Sequence, residues 1–137
     1  MSDEEKLQNL AVEQRALEGY YNELNARETM LNNIIIESRA AMESLENLPQ
    51  ATLSEVLVPI GGGIYVRTQT PPPDSLIVSI GANVAIEKTR DGTLTFLEER
   101  IREIEKALLS IGTQKGDLGR EINARRSEIN RLIQKLK

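Results

Sequence analysis

Two stretches of this chain hold a heptad frame without a break, and no other feature restricts the fold as much. From Leu7 to Leu45 the a positions are Leu7, Gln14, Tyr21, Glu28, Ile35 and Met42, and the d positions are Leu10, Leu17, Leu24, Leu31, Ser38 and Leu45. From Leu97 to Leu136 the a positions are Ile101, Leu108, Lys115, Ile122, Ile129 and Leu136, and the d positions are Leu97, Ile104, Ile111, Leu118, Arg125 and Leu132. More than three heptads in each stretch, with charges between the apolar positions, is a coiled-coil pattern. An amphipathic helix lying on a compact core is usually much shorter. The arms match in length, at about 40 to 45 residues or roughly 65 Å each. Two equal arms joined by a compact middle are expected to fold back as an antiparallel hairpin with both ends of the chain at the far tip. The polar seam positions support that pairing. If Asn47 sits near Thr93, Gln14 falls near Arg125 and Glu28 within a turn of Lys115, so each interruption meets a polar partner and helps to fix the register.

The middle, from Ser54 to Thr89, changes to a period of two. Val56, Val58 and Ile60 alternate with other residues, as do Ile64 and Val66, then Leu76, Val78 and Ile80, then Val84 and Ile86. This is the pattern of strands with one apolar face. The segment also repeats itself: VPIGGGIYV (58–66) aligns with VSIGANVAI (78–86). In both copies a turn falls between two alternating runs, so Gly61 to Gly63 and Gly81 to Asn83 read as hairpin turns. Positive φ is cheap there for glycine and tolerable for asparagine. A phosphate-binding loop needs a helix opening directly after it to offer free backbone N–H groups. Here a strand follows GGG, and no GxxxxGK[ST] or helix-preceding GxGxxG is present. TQTPPPD separates the hairpins as a stiff, extended link, because consecutive prolines cannot join a ladder. Pro59 inside the first strand marks an edge or a bulge.

Two such hairpins cannot bury their apolar faces alone, and a two-helix coil gives them no core. The strand residues Val56, Val58, Ile60, Ile64, Val66, Val78, Ile80, Val84 and Ile86 are therefore expected to carry oligomerisation. Ile34, Ile36, Leu94 and Phe96 lie off the seam and are expected to pack near that junction. In the second arm Gly112, Gly116 and Gly119 face the region of Tyr20, Tyr21 and Leu24. They either make space for the two tyrosines or form a soft point in the arm.

Composition removes several classes of function. There is no Cys and no His, hence no disulfide, no thiol nucleophile, no thiolate metal site and no imidazole base. The carboxylates lie on solvated faces such as EERIREIEK, where charge pairs are ordinary. No catalytic residue, metal site or cofactor is expected, and the chain is read as not an enzyme. A net charge of −4, from 17 basic and 21 acidic residues, argues against nucleic acid as a partner. The opening MSDEEKLQNL is acidic, unlike a secretory leader. No apolar run approaches the ~20 residues of a membrane span. A cytoplasmic protein with no membrane partner is the expectation.

The order helix, two β-hairpins, helix, with VPIGGGIYV and VSIGANVAIEKT in the hairpins, closely resembles the alpha subunits of archaeal prefoldin over the whole chain. The duplicated hairpin is the specific part, since beta-type subunits of that family have one. The resemblance implies an α+β fold: a long antiparallel coiled-coil helical hairpin with two β-hairpins at its base, contributing to an oligomeric β-barrel platform. One domain would cover 1–137, with helices over 1–49 and 93–137 and hairpins over 54–89. It further implies a hexamer of two alpha and four beta subunits that binds unfolded proteins at the coiled-coil tips without ATP and delivers them to a group II chaperonin. Carried onto this chain, the client-binding tip comprises Leu7 and Leu10 on one helix and Ile129, Leu132, Ile133 and Leu136 on the other. Ile133 lies outside the seam frame and is expected to be partly exposed. Lys135 and Lys137 at the same tip would steer acidic clients or keep the end soluble. The alternative is a filament-forming or structural coiled-coil scaffold of the same architecture. An apolar free tip favours the chaperone, because a passive spacer would do better with a polar one.

Overall fold

A computed structural model of the chain describes residues 2–49, 52–71 and 74–137. In chain order the elements are α1 (Asp3–Asn47), β1 (Ser54–Gly61), β2 (Ile64–Thr70), β3 (Leu76–Gly81), β4 (Val84–Lys88) and α2 (Arg90–Leu136). Two long helices and two small antiparallel hairpins are the expected parts. Pro72 and Pro73 of the extended link lie outside the described residues. Every a and d position of both frames is buried or half-buried except Leu136, so the seam follows the heptads.

The helices start where side chains cap them. Ser2 Oγ accepts the backbone N–H of Glu5 at 3.2 Å, and Asp3, Glu4 and Glu5 place negative charge in the first turn of α1. Both features satisfy or offset the free N–H groups of a helix start. Thr89 does the same for α2, its Oγ1 accepting the N–H of Gly92 at 3.0 Å. This cap starts α2 at Arg90, three residues before the expected 93.

The chain divides into two compact units, Met1–Ile34 with Glu103–Lys137, and Ile35–Arg102. In the second unit Ile35, Ser38, Thr93, Leu97 and Ile101 are buried. Thr93 satisfies its hydroxyl by donating to the Thr89 carbonyl at 2.8 Å. Arg90 Nε donates to the Leu45 carbonyl at 3.2 Å. That carbonyl is among the last four of α1, which lack helical partners, and α1 has no basic residue in its own last turn. Arg90 thus brings a cation to the negative end of α1 from the opening of α2.

The two sheets are open and two-stranded, β1 with β2 and β3 with β4. Val58 pairs with Val66, and Val78 with Ile86. The internal repeat extends to geometry. Both hairpins break register at the same place, between Pro59 and Gly61 and between Ser79 and Gly81. Gly61, Gly62 and Gly63 have φ of 107°, 60° and 77°, and Gly81, Ala82 and Asn83 follow with 100°, 51° and 61°. The second turn therefore puts an alanine and an asparagine where the first uses glycine.

Candidate functional site

In the first unit the helices run antiparallel, as four ion pairs show. Asp3 Oδ2 meets Lys135 Nζ at 3.1 Å, Glu13 Oε2 meets Arg125 Nε at 2.9 Å, Glu18 Oε1 meets Arg126 Nη2 at 3.5 Å, and Glu28 Oε1 meets Lys115 Nζ at 3.2 Å. The Asp3–Lys135 pair sets the first turn of α1 beside the last turn of α2, so Leu7, Leu10, Ile129, Leu132, Ile133 and Leu136 share one end of the unit. Leu7, Leu10, Ile129 and Leu132 are half-buried. Ile133 and Leu136 are 38% and 45% exposed. Lys135 is engaged by Asp3.

The expected polar seam contacts form with one adjustment. Lys115 Nζ donates to both carboxylate oxygens of Glu28, at 3.2 and 3.4 Å, and lies 5.5 Å from the centre of the Tyr21 ring. Arg125 takes Glu13 as its ion partner, while Gln14 Nε2 donates along its own helix to Glu18 at 3.1 Å. Gln14 Oε1 is buried without a hydrogen bond, and Arg125 Nε, although close to Glu13, is not aligned for one. This layer is the least satisfied in the seam, and buried polar atoms in that state weaken packing.

The three glycines of α2 do not make room for tyrosines. A Cβ on Gly112 or Gly119 would meet nothing within 4 Å, and one on Gly116 would meet only Arg120 Nη1 at 3.9 Å. Tyr20 is exposed and Tyr21 half-buried, and no atom of either ring lies within 4 Å of where these Cβ atoms would stand. The space-making reading is overturned by these distances. Gly119 instead borders a groove of about 410 Å³ on the flank of the coil, lined on α1 by Glu18, Tyr21 and Asn22 and on α2 by Gly119, Ile122, Asn123 and Arg126. Sequence reasoning missed it, because a groove of this kind depends on how two helices are rotated against each other.

In the second unit Val58, Ile60, Ile64, Val66, Ile80, Val84 and Ile86 are exposed, while Val56 and Val78 are half-buried. Of the four residues expected to pack at the junction, Ile34, Leu94 and Phe96 are half-buried and Ile36 stays exposed; the Phe96 ring has Lys88 Nζ 5.4 Å from its centre. The first hairpin is apolar on its other face too. Leu57 and Tyr65 are exposed there beside Pro59, next to an ion pair of Glu55 and Arg67 at 3.8 Å. The corresponding face of the second hairpin carries Ile77, Ser79, Ala85 and Glu87.

Among the described residues no helix is long and apolar enough to cross a membrane, and no cluster of three acidic residues is placed to hold a metal ion.

The family model for the prefoldin subunit matches residues 4–135. The chain is 35% identical to prefoldin subunit alpha of Nitrosopumilus maritimus over 131 residues, covering 96% of this chain and 90% of that protein. It is 32% identical to prefoldin subunit alpha of Pyrococcus horikoshii over 105 residues, covering 75% of this chain and 71% of the relative. Among solved structures it is similar to a chain of the filamentous prefoldin (PFD) of Methanocaldococcus jannaschii. That match has a TM-score of 0.72 and 26% identity, over 88% of this chain and 98% of the other. The fold is also that of the prefoldin beta subunit of Thermococcus strain KS-1, with a TM-score of 0.61 at 14% identity, over 90% of this chain and 89% of that one. With paired helical arms, duplicated hairpins and a family match over nearly its whole length, the chain belongs to the prefoldin subunit family.

Proposed function

We propose that this chain is an ATP-independent holdase subunit. It captures unfolded proteins at the tip formed by Leu7, Leu10, Ile129, Leu132, Ile133 and Leu136 and passes them to a group II chaperonin in the cytoplasm. The observation that carries this reading is the exposure of Ile133 and Leu136 at the last turns of α2. A structural spacer gains nothing from apolar side chains in water at its end. The terminal turns of a helix lack backbone partners and fray, which uncovers the half-buried seam leucines beside them. Burying apolar surface is worth about 25 cal/mol per Å², so one tip binds weakly and several tips on one platform gain by avidity. Weak single contacts also allow release without nucleotide.

Assembly runs through the strands. A two-stranded hairpin is marginal alone, and the exposed row of Val58, Ile60, Ile64, Val66, Ile80, Val84 and Ile86 needs cover. We read the cover as the hairpins of further subunits closing a β-barrel platform, in a hexamer of two alpha and four beta chains. A filament of the same architecture is the second reading, favoured by the likeness to the Methanocaldococcus jannaschii filamentous assembly; the native mass of the complex separates the two.

The test of the tip is deletion of residues 129–137. The assembly stays intact, and protection of a denatured client from aggregation falls partially, because partner subunits keep their own tips. Full protection by the truncated complex, at matched concentration and with several clients, would refute the tip as the binding site.

A further inference from the structure

The groove between the helices of the first unit has no part in the tip reading. Its apolar wall is Tyr21 and the buried Ile122. Asn22 and Asn123, both exposed, stand on its two sides, and the side-chain carboxamide of neither makes a hydrogen bond among the described residues. The two charges that border it, Glu18 and Arg126, approach each other at 3.5 Å and offset one another, so the groove selects for neither sign. At about 410 Å³ it lies near the small end of the ~300–1,000 Å³ range of ligand sites. It holds one or two side chains, not a folded surface.

Gly119 keeps the groove open. Glycine is the poorest helix former after proline, and nothing in the coil requires it here, since a Cβ would meet no atom within 4 Å. A longer side chain at this position would project into the groove.

We propose that this groove is a second client-contact site, for an extended segment of unfolded polypeptide. One apolar side chain of the client lies against Tyr21, Gly119 and Ile122, while Asn22 and Asn123 hydrogen-bond the client backbone. A carboxamide offers both donors and an acceptor, the complement of the unpaired N–H and C=O that every unfolded residue carries. A neutral, amide-flanked groove therefore reads the main chain and one apolar group, which suits clients of unrelated sequence. The proposal rests on the holdase reading and adds a site partway down the coil from the tip.

The test fills the groove with Gly119→Leu in the assembled oligomer. Leucine is a better helix former than glycine, so this variant keeps or gains thermal stability, and lost binding is not confused with lost folding. A photo-crosslinking residue replaces Gly116, one turn from Gly119 and outside the groove lining; a second preparation carries it at Lys137 as a tip probe. The client is reduced, carboxamidomethylated α-lactalbumin, which stays unfolded. The expected result is crosslinking from both positions, with the yield at residue 116 falling at least fivefold in Gly119→Leu and the yield at 137 changing less than twofold. Crosslinking at 137 but not at 116, an unchanged yield at 116 in Gly119→Leu, or capture only of a neighbouring subunit at 116 would each overturn the groove and leave the tip standing. Absence of client crosslinks at both positions, with no protection from aggregation, would overturn the holdase reading and the groove with it.

Discussion

Substituting alanine at both Gly112 and Gly116 should stiffen α2 measurably. Glycine in a helix interior costs about 0.8–1.0 kcal/mol relative to alanine, through backbone entropy and exposed peptide groups. At Gly112 a Cβ finds open space, and at Gly116 it reaches only the far end of the Arg120 side chain at 3.9 Å, an ordinary contact that a flexible guanidinium absorbs. Neither site imposes a steric charge against the gain, and both are exposed. The pair should then stabilise the surrounding helix by about 1.6–2 kcal/mol. Melting of an assembly of several chains is a poor gauge of one helix, whereas amide hydrogen exchange reports local opening directly. With a factor of ten for each 1.4 kcal/mol, exchange of the amides around residues 112–120 should slow on the order of 15- to 30-fold. Gly119 is untouched, so the flanking groove is unchanged. Unaltered or faster exchange in the double variant would refute the reasoning, since it would mean that these backbone positions are held by something other than helix propensity.

Two further expectations concern the hairpins. Ala82 sits at φ 51°, in the left-handed region that costs an L-residue about 1–2 kcal/mol, so Ala82→Gly should stabilise the β3–β4 hairpin by about 1 kcal/mol, read as slower exchange of its ladder amides; faster exchange would count against the strain. Val58→Lys with Val78→Lys should dissociate the oligomer, because an unpaired buried charge costs several kcal/mol, and an unchanged elution volume on gel filtration would remove the strands from the interface.

The helices and their seam were legible because one periodicity ran through each arm and only a paired helix satisfies it. The turn at Gly61–Gly63 was legible for a similar reason: the strand after it excluded a phosphate loop, and the copy at Gly81–Asn83 repeated its geometry. α2 starts three residues before the expected 93, and Gly92, a poor helix former, lies inside its first turn. The Gly92 N–H is the donor that Thr89 Oγ1 captures, a cap spelled by Thr89 and the acidic Asp91 that follows. Gly119 was visible as an anomaly, but space for the tyrosines and a soft point in the arm stayed equally open, since a heptad wheel places residues on faces without giving the distance between them. The apolar second face of the first hairpin was hidden by attention to the alternating valines and isoleucines: Leu57, Pro59 and Tyr65 occupy the intervening positions, where polar residues are the rule.

The hydrogen bond from Arg90 to the Leu45 carbonyl makes the residues between the two helices a lariat tied at its neck. Because the knot is made by residues outside the hairpins, the loop it closes is free to change size. Closure entropy grows only with the logarithm of length, about 0.6 kcal/mol for each doubling. Gaining or losing a whole hairpin of some twenty residues, at the scale of the internal repeat, therefore disturbs the helices little. The number of hairpins is a quantity that evolution can edit separately from the coil that displays the tip.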